Sequence, residues 1–201
     1  MKYLILFLII FLSGCIQLDT WENGIISYRL KEFTEEEEIK IRMAMDEWES
    51  VANITFTIEG QVGLTIKKSS SVNASTTGSG CYPFCLMRLK TTGHRIILHE
   101  LGHTLGLIHE HCRMDRDDYI HIIWENIKEK EKHNFIQRKG LLNIYDFPYD
   151  YVSIMHYRSV YIFSKNMQPT IDFLGHIRVH PDGLTEEDKR KIKFLYPYTE
   201  E

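Results

Sequence analysis

The chain of 201 residues is short of several things, and each shortage excludes something. It has no long basic run and a formal net charge of −4, which argues against nucleic acid as a partner. The balance is too even to define a substrate by charge. It has no internal repeats, and its length suits one domain with a sizeable core. Its longest apolar run, Tyr3 to Leu12, falls short of the ~20 residues a helix needs to cross a bilayer. Cysteine is sparse. Of four, one lies at position 15, leaving Cys81, Cys85 and Cys112, an odd number that cannot all pair within one chain.

What is present is concentrated between His99 and His111, which read HELGHTLGLIHEH. On a helix each residue turns about 100°, so His99 and His103 lie ~40° apart on one face and can share an ion. If the helix continued, His109 would sit ~15 Å along the axis from His99 and ~80° round it, out of reach. The helix must therefore break. Gly106 stands where glycine can adopt φ > 0 at a helix end and turn the chain back, bringing His109 to the ion from below. Neutral imidazoles suit Zn2+, and three protein ligands leave a fourth position for water, the arrangement of a catalytic site. Glu100, beside the first ligand, is placed as the general base that takes a proton from zinc-bound water and passes it to a leaving amine. Peptide-bond hydrolysis follows as the expected reaction. The spacing HExxHxxGxxH is the metzincin signature.

Residues 1 to 14 read as an export signal: one positive charge at Lys2, then the apolar run. Its end, Leu12-Ser13-Gly14-Cys15, resembles the bacterial lipobox, in which the cysteine is acylated. Residues 15 to 20 then become an acylated tether, and residues 21 to 201 the catalytic domain. The expected location is outside the cytoplasm, anchored to a membrane through Cys15, with a soluble secreted form as the alternative. Cys81 and Cys85 flank a Pro-containing turn and are the expected disulfide, with Cys112 a buried thiol.

Along the chain, Trp21 to Leu30 begins with a turn-like Asn23-Gly24 and then alternates apolar and polar as a first strand. Thr34 and Glu37 form a capping box ahead of a helix whose apolar stripe is Ile41, Met45, Trp48 and Ala52. Ile54 to Ile58 and Leu64 to Lys68 read as the next strands, Ser69 to Gly80 as a polar loop, and Leu86 to Lys90 as an edge strand open to strand addition by a peptide. Ile120 to Lys139 passes from strand to a charged helical stretch. Thr185 opens a last helix with Ile192 and Leu195 facing inward.

Several stretches together resemble the astacin family of zinc endopeptidases: HELGHTLGLIHEH with Glu110 after the third histidine, RMDRDDYI, and SIMHY at Ser153 to Tyr157. Trp21 to Tyr28 and GLTEEDKRKIKFLY look like that family's opening strand and closing helix. The resemblance implies an α+β metzincin fold, with an N-terminal mixed sheet and two helices above a cleft, an irregular C-terminal subdomain below, and one zinc ion between. It implies that Met155 floors the site and that Tyr157 is a displaceable ligand that stabilises the oxyanion. The other histidines, His156 and His111 included, are expected to be structural.

The chain departs from the family pattern where Asn53 and Thr91 stand near expected cysteines and where no cysteine follows Cys112. Arg178 is placed, by loose alignment, near a pocket for an acidic residue after the scissile bond. Family members carry a pro-segment whose removal frees an amine that meets the glutamate after the third histidine. With only Ile16 to Thr20 between Cys15 and the first strand, this sequence is expected to act without such maturation, and another donor must then satisfy Glu110. The expected partner is a peptide or protein substrate, and the expected state a monomer. Two alternatives stand beside proteolysis: a zinc-dependent lipoprotein that binds peptides without cutting them, and a hydrolase of a non-peptide cell-wall amide.

Overall fold

The computed structural model describes residues 20–140, 142, 146–158, 163–176, 181 and 183–198. Its first half is a five-stranded sheet under two helices. The strands are β1 (Ile25–Lys31), β2 (Thr55–Thr57), β3 (Leu64–Lys68), β4 (Ala74–Ser75) and β5 (Cys85–Leu89), and the helices are α1 (Glu35–Glu49) and α2 (His94–Thr104). The sheet order is β2-β1-β3-β5-β4, parallel throughout except for β4, which runs antiparallel to β5.

β1 starts after the Asn23-Gly24 turn, as the sequence suggests. Asn23 and Gly24 both take positive φ and turn the chain before it extends. A Cβ at Gly24 would meet Asn53 O at 1.9 Å, so only glycine fits there. α1 forms as predicted, with the Thr34 hydroxyl accepting from Glu37 N and the Glu37 carboxylate accepting from Thr34 N. Its buried residues, Ile41, Ala44, Met45 and Trp48, recur at the helical period, and Ala52 is buried just beyond its end. The inward positions of β1, β3 and β5, which include Ile26, Leu64, Ile66, Met87 and Leu89, close the core from the other side.

The edge of the sheet differs from the sequence reading. The segment Leu86 to Lys90 is not the edge, because β5 pairs with β3 on one side and with β4 on the other. The polar stretch expected to be a loop supplies that edge strand. Its side chains extend the ladder: Asn73 Oδ1 accepts from Lys90 N at 2.7 Å and Thr76 Oγ1 from Leu86 N at 3.2 Å. The Ser75 and Thr104 hydroxyls, 2.9 Å apart, fasten this edge to α2.

After α2 regular structure is thin. The expected strand at Ile120 shrinks to β6 (His121–Ile122), paired with β7 (Ile171–Asp172), and the charged stretch forms 3-10 turns at Trp124–Asn126 and Glu129–Phe135 instead of an α-helix. Here a second apolar cluster gathers Ile120, Ile127, Phe135, Tyr149 and Ile171. The last helix, α3 (Glu186–Leu195), buries Ile192 in the first core, with Leu195 packed against that core. Thr185 caps α3, and the α+β arrangement of sheet, helices and irregular lower half is as expected.

The expected Cys81–Cys85 disulfide is corrected: Cys81, Cys85 and Cys112 are all free thiols. Cys85 occupies an inward position of β5 with Sγ 3.8 Å from Gly78 O, whereas Cys81 is exposed on the preceding turn. Cys112 is buried as predicted, and burial pushes its thiol up to about 11.

Candidate active site

α2 stops where the sequence requires. Leu105 keeps helical φ/ψ, Gly106 switches to φ 104°, and two hydrogen bonds close the end: Gly106 N to His103 O at 2.8 Å and Leu107 N to Gly102 O at 2.9 Å. This pair is the Schellman pattern, and it turns the chain back under the helix. His109 thereby returns to the two helical histidines. Its Nε2 lies 3.1 Å from His99 Nε2 and 3.1 Å from His103 Nε2.

The opposite ring nitrogens are oriented by carbonyls. His99 Nδ1 lies 2.8 Å from Ile154 O and His103 Nδ1 2.8 Å from Leu107 O, so both rings donate from Nδ1 and turn their Nε2 lone pairs toward one point. Burial lowers the proton affinity of all three, His103 to about 3, which keeps the imidazoles neutral. Tetrahedral ligands at the usual zinc–nitrogen distance stand about 3.3 Å from each other, so nitrogens 3.1 Å apart fit one zinc ion.

Glu100 faces the same cleft from α2. Its side chain is buried, its Oε2 has no hydrogen-bond partner among the described residues, and burial raises its carboxyl to about 8. An acid so placed is short of a partner, and water or substrate in the cleft would provide one. Tyr157 lines the cleft with its ring centroid 4.3 Å from that of His109. Burial pushes its phenol well above the ordinary value, so it stays a proton donor.

Met155 lies beneath α2 against Gly102. A Cβ at that glycine would meet Met155 Sδ at 2.6 Å, so the sulfur occupies the space a side chain would take. The turn carrying Met155 is held from α3: Asp188 Oδ1 accepts from Ser153 Oγ at 2.6 Å and Oδ2 from Ile154 N at 2.8 Å. Ile154 is the residue whose carbonyl meets His99. His156 is structural in its contacts, 2.7 Å from both Tyr149 OH and Tyr157 O. Cys15 and Arg178 lie outside the described residues.

Three features escaped the sequence reading. His111 is fully buried and stacks on Tyr157 at 4.1 Å, and Phe163 stacks on the other side of the phenol at 5.1 Å. Arg138 and Asn134 line the cleft. Asp188 and Lys191, which look like the solvated charges of a surface helix, are buried. The one available signal was the period: Asp188, Lys191 and Ile192 share a face of α3.

The family model described as Astacin, a family of peptidases, matches residues 16–196. The chain belongs to the astacin family. One relative, zinc metalloproteinase nas-6 of Caenorhabditis elegans, is 38% identical over 157 residues, covering 76% of this chain and 45% of that protein. Astacin-like metalloendopeptidase of Gallus gallus is 34% identical over 178 residues, covering 85% of this chain and 43% of that one. The chain spans less than half the length of these relatives. Among solved structures, high choriolytic enzyme 1, a hatching enzyme zinc-protease of the medaka Oryzias latipes, superposes with a TM-score of 0.74 at 28% identity, covering 92% of this chain and 96% of that one. Myroilysin shares the fold, with a TM-score of 0.68 at 21% identity. The astacin fold thus accounts for both the sheet above the cleft and the irregular half below it.

Proposed function

We propose that this protein is a zinc endopeptidase whose ligands are His99, His103 and His109 and whose general base is Glu100. The observation that carries the reading is the convergence of three Nε2 atoms, those of His99 and His103 oriented by carbonyls, beside a buried carboxyl group with an oxygen that has no partner among the described residues. Zinc held by these three histidines would supply a water of pKa about 7 and Lewis acidity toward a carbonyl oxygen. The remaining work falls to the protein. β4, as the edge strand lining the cleft, aligns an extended peptide through main-chain hydrogen bonds. Glu100 takes the proton of the attacking water and delivers it to the leaving amine as the C–N bond breaks. Tyr157 donates a hydrogen bond to the carbonyl oxygen as negative charge develops on it. Met155 and Gly106 hold the ligand geometry from below and behind.

Peptide capture without turnover would need no general base, so Glu100 argues against it. A cell-wall amide and a peptide present the same bond to this chemistry, and the products separate them. Zinc-loaded protein is incubated with casein and, separately, with cell-wall fragments, and the products are weighed by mass spectrometry. New peptide termini from casein are expected; release only from cell-wall fragments would replace the peptidase reading.

The protein is further proposed to be exported and acylated at Cys15, on the strength of the apolar leader and Leu12-Ser13-Gly14-Cys15. Among the described residues no helix is long and apolar enough to cross a membrane. Palmitate labelling that is lost in Cys15→Ala is the expected outcome, and label surviving that substitution overturns the assignment. Arg178 is proposed to favour an acidic residue after the scissile bond by a charge-assisted contact, and a peptide-library profile unchanged in Arg178→Ala would remove it.

A further inference from the structure

The three ligand histidines are not held alike. His99 and His103 each have a carbonyl acceptor for Nδ1, whereas among the described residues the His109 ring has none. His109 also lies outside the helix, ahead of a short 3-10 turn, Glu110–Cys112. Its position depends on what fixes the neighbouring backbone.

That neighbour is Glu110, a carboxylate only 4% exposed and gripped by donors from three segments. Oε1 accepts from Arg113 Nη1 at 2.8 Å and from Asp150 N at 3.0 Å, and Oε2 accepts from Lys191 Nζ at 2.7 Å. Lys191 comes from α3, 81 residues away in sequence, and its side chain is 7% exposed. A buried ion pair adds little net stability over an apolar pair of similar size, so stability alone does not account for it. What it does provide is direction. Both carboxylate oxygens are fixed, the Glu110 amide is bonded to Met155 O at 3.1 Å, and the residue next to the third ligand has little freedom left.

We propose that Lys191 is a positioning residue for the metal site, acting through Glu110 to hold His109 in place. The proposal rests on the zinc reading above and extends it to the C-terminal helix. Outer contacts of this kind typically alter metal affinity by about 10–100-fold when removed.

The test uses the full chain loaded with zinc and measures how fast an excess of a chromophoric chelator strips the ion, with the melting temperature of each variant recorded alongside. Lys191→Met is expected to release zinc at least tenfold faster than wild type, and Lys191→Arg at close to the wild-type rate. The control is Ile192→Ala, a core truncation on the same helix, which should lower the melting temperature but leave release unchanged. If Lys191→Met fails to fold, the double variant Glu110→Gln/Lys191→Met removes both charges, and the same acceleration is expected. Release at the wild-type rate from whichever of the two folds, or equal acceleration in Ile192→Ala, overturns the proposal. A wild type that takes up no zinc removes the reading beneath it instead.

Discussion

Glu100 and Tyr157 are two acids that the same burial pushes in the same direction, with opposite consequences. For Glu100 the raised value creates a base that holds a proton readily but carries its charge at a cost. In metal-free protein this becomes a pH dependence. The group starts from an ordinary value of 4.5 and rises to about 8 on folding, so its contribution to stability is full below pH 4.5 and is lost as pH climbs through 8. Glu100→Gln has no such charge to bury. Melting curves of chelator-treated wild type and variant should therefore diverge in favour of the variant as pH rises across that window, and parallel curves would contradict the burial argument. For Tyr157 the raised value merely keeps the phenol protonated. A donor that acts chiefly in the transition state alters turnover more than binding, so Tyr157→Phe should lower kcat by roughly tenfold to a thousandfold with zinc retained and KM little changed. Loss of zinc on that substitution would assign the ring a structural role.

At the scale of elements, the end of α2 decides whether a site exists at all. Gly106 sits at φ 104°. Alanine there is strained by about 1–2 kcal/mol and disfavours the turn that returns His109. Gly106→Ala is thus expected to lower the melting temperature and weaken zinc binding together, as calorimetry and chelator competition would record. Unchanged zinc affinity would mean that the turn does not position the ligand. This helix end was legible in the sequence because the requirement is local: ligand spacing, one glycine, one turn. The edge strand was not. Ala74 and Ser75 carry no apolar alternation, and they pair only because Asn73, Thr76 and Ser75 add side-chain hydrogen bonds to neighbours 10 to 29 residues away. The cysteines were misread for a related reason. Closeness in sequence says little once a strand begins between two residues and turns one of them inward.

At the scale of the molecule, the cleft is lined by His99 and His103 from α2, by Ile154 of the first core and by Tyr157, which packs against the second apolar cluster. Between α2 and α3 the described residues form only two-residue strands and 3-10 turns, so their order depends on buried polar ties such as Asp188 to Ser153 and Lys191 to Glu110. Those ties cross long stretches of sequence and were invisible there, since an aspartate or lysine on an amphipathic helix looks the same whether solvated or buried. Zinc adds one more tie between the halves. At free zinc a thousandfold above its dissociation constant, binding stabilises the folded state by about 4 kcal/mol. Chelation should therefore lower the melting temperature and raise hydrogen exchange first in residues 110 to 140 and 163 to 176. Uniform exchange across both halves would argue against a lower half held by the site.

The central claim is that Glu100 acts as the base at a three-histidine zinc centre. It is tested most directly by Glu100→Gln, an amide of nearly the same shape that cannot take up the proton. Zinc content and the rate of cleavage of a quenched peptide are measured on the same preparation. The account predicts one zinc per chain in both proteins and a loss of kcat of at least a hundredfold in the variant, the low end of what general acid–base catalysis supplies. A zinc-loaded variant that cleaves at the wild-type rate would contradict it.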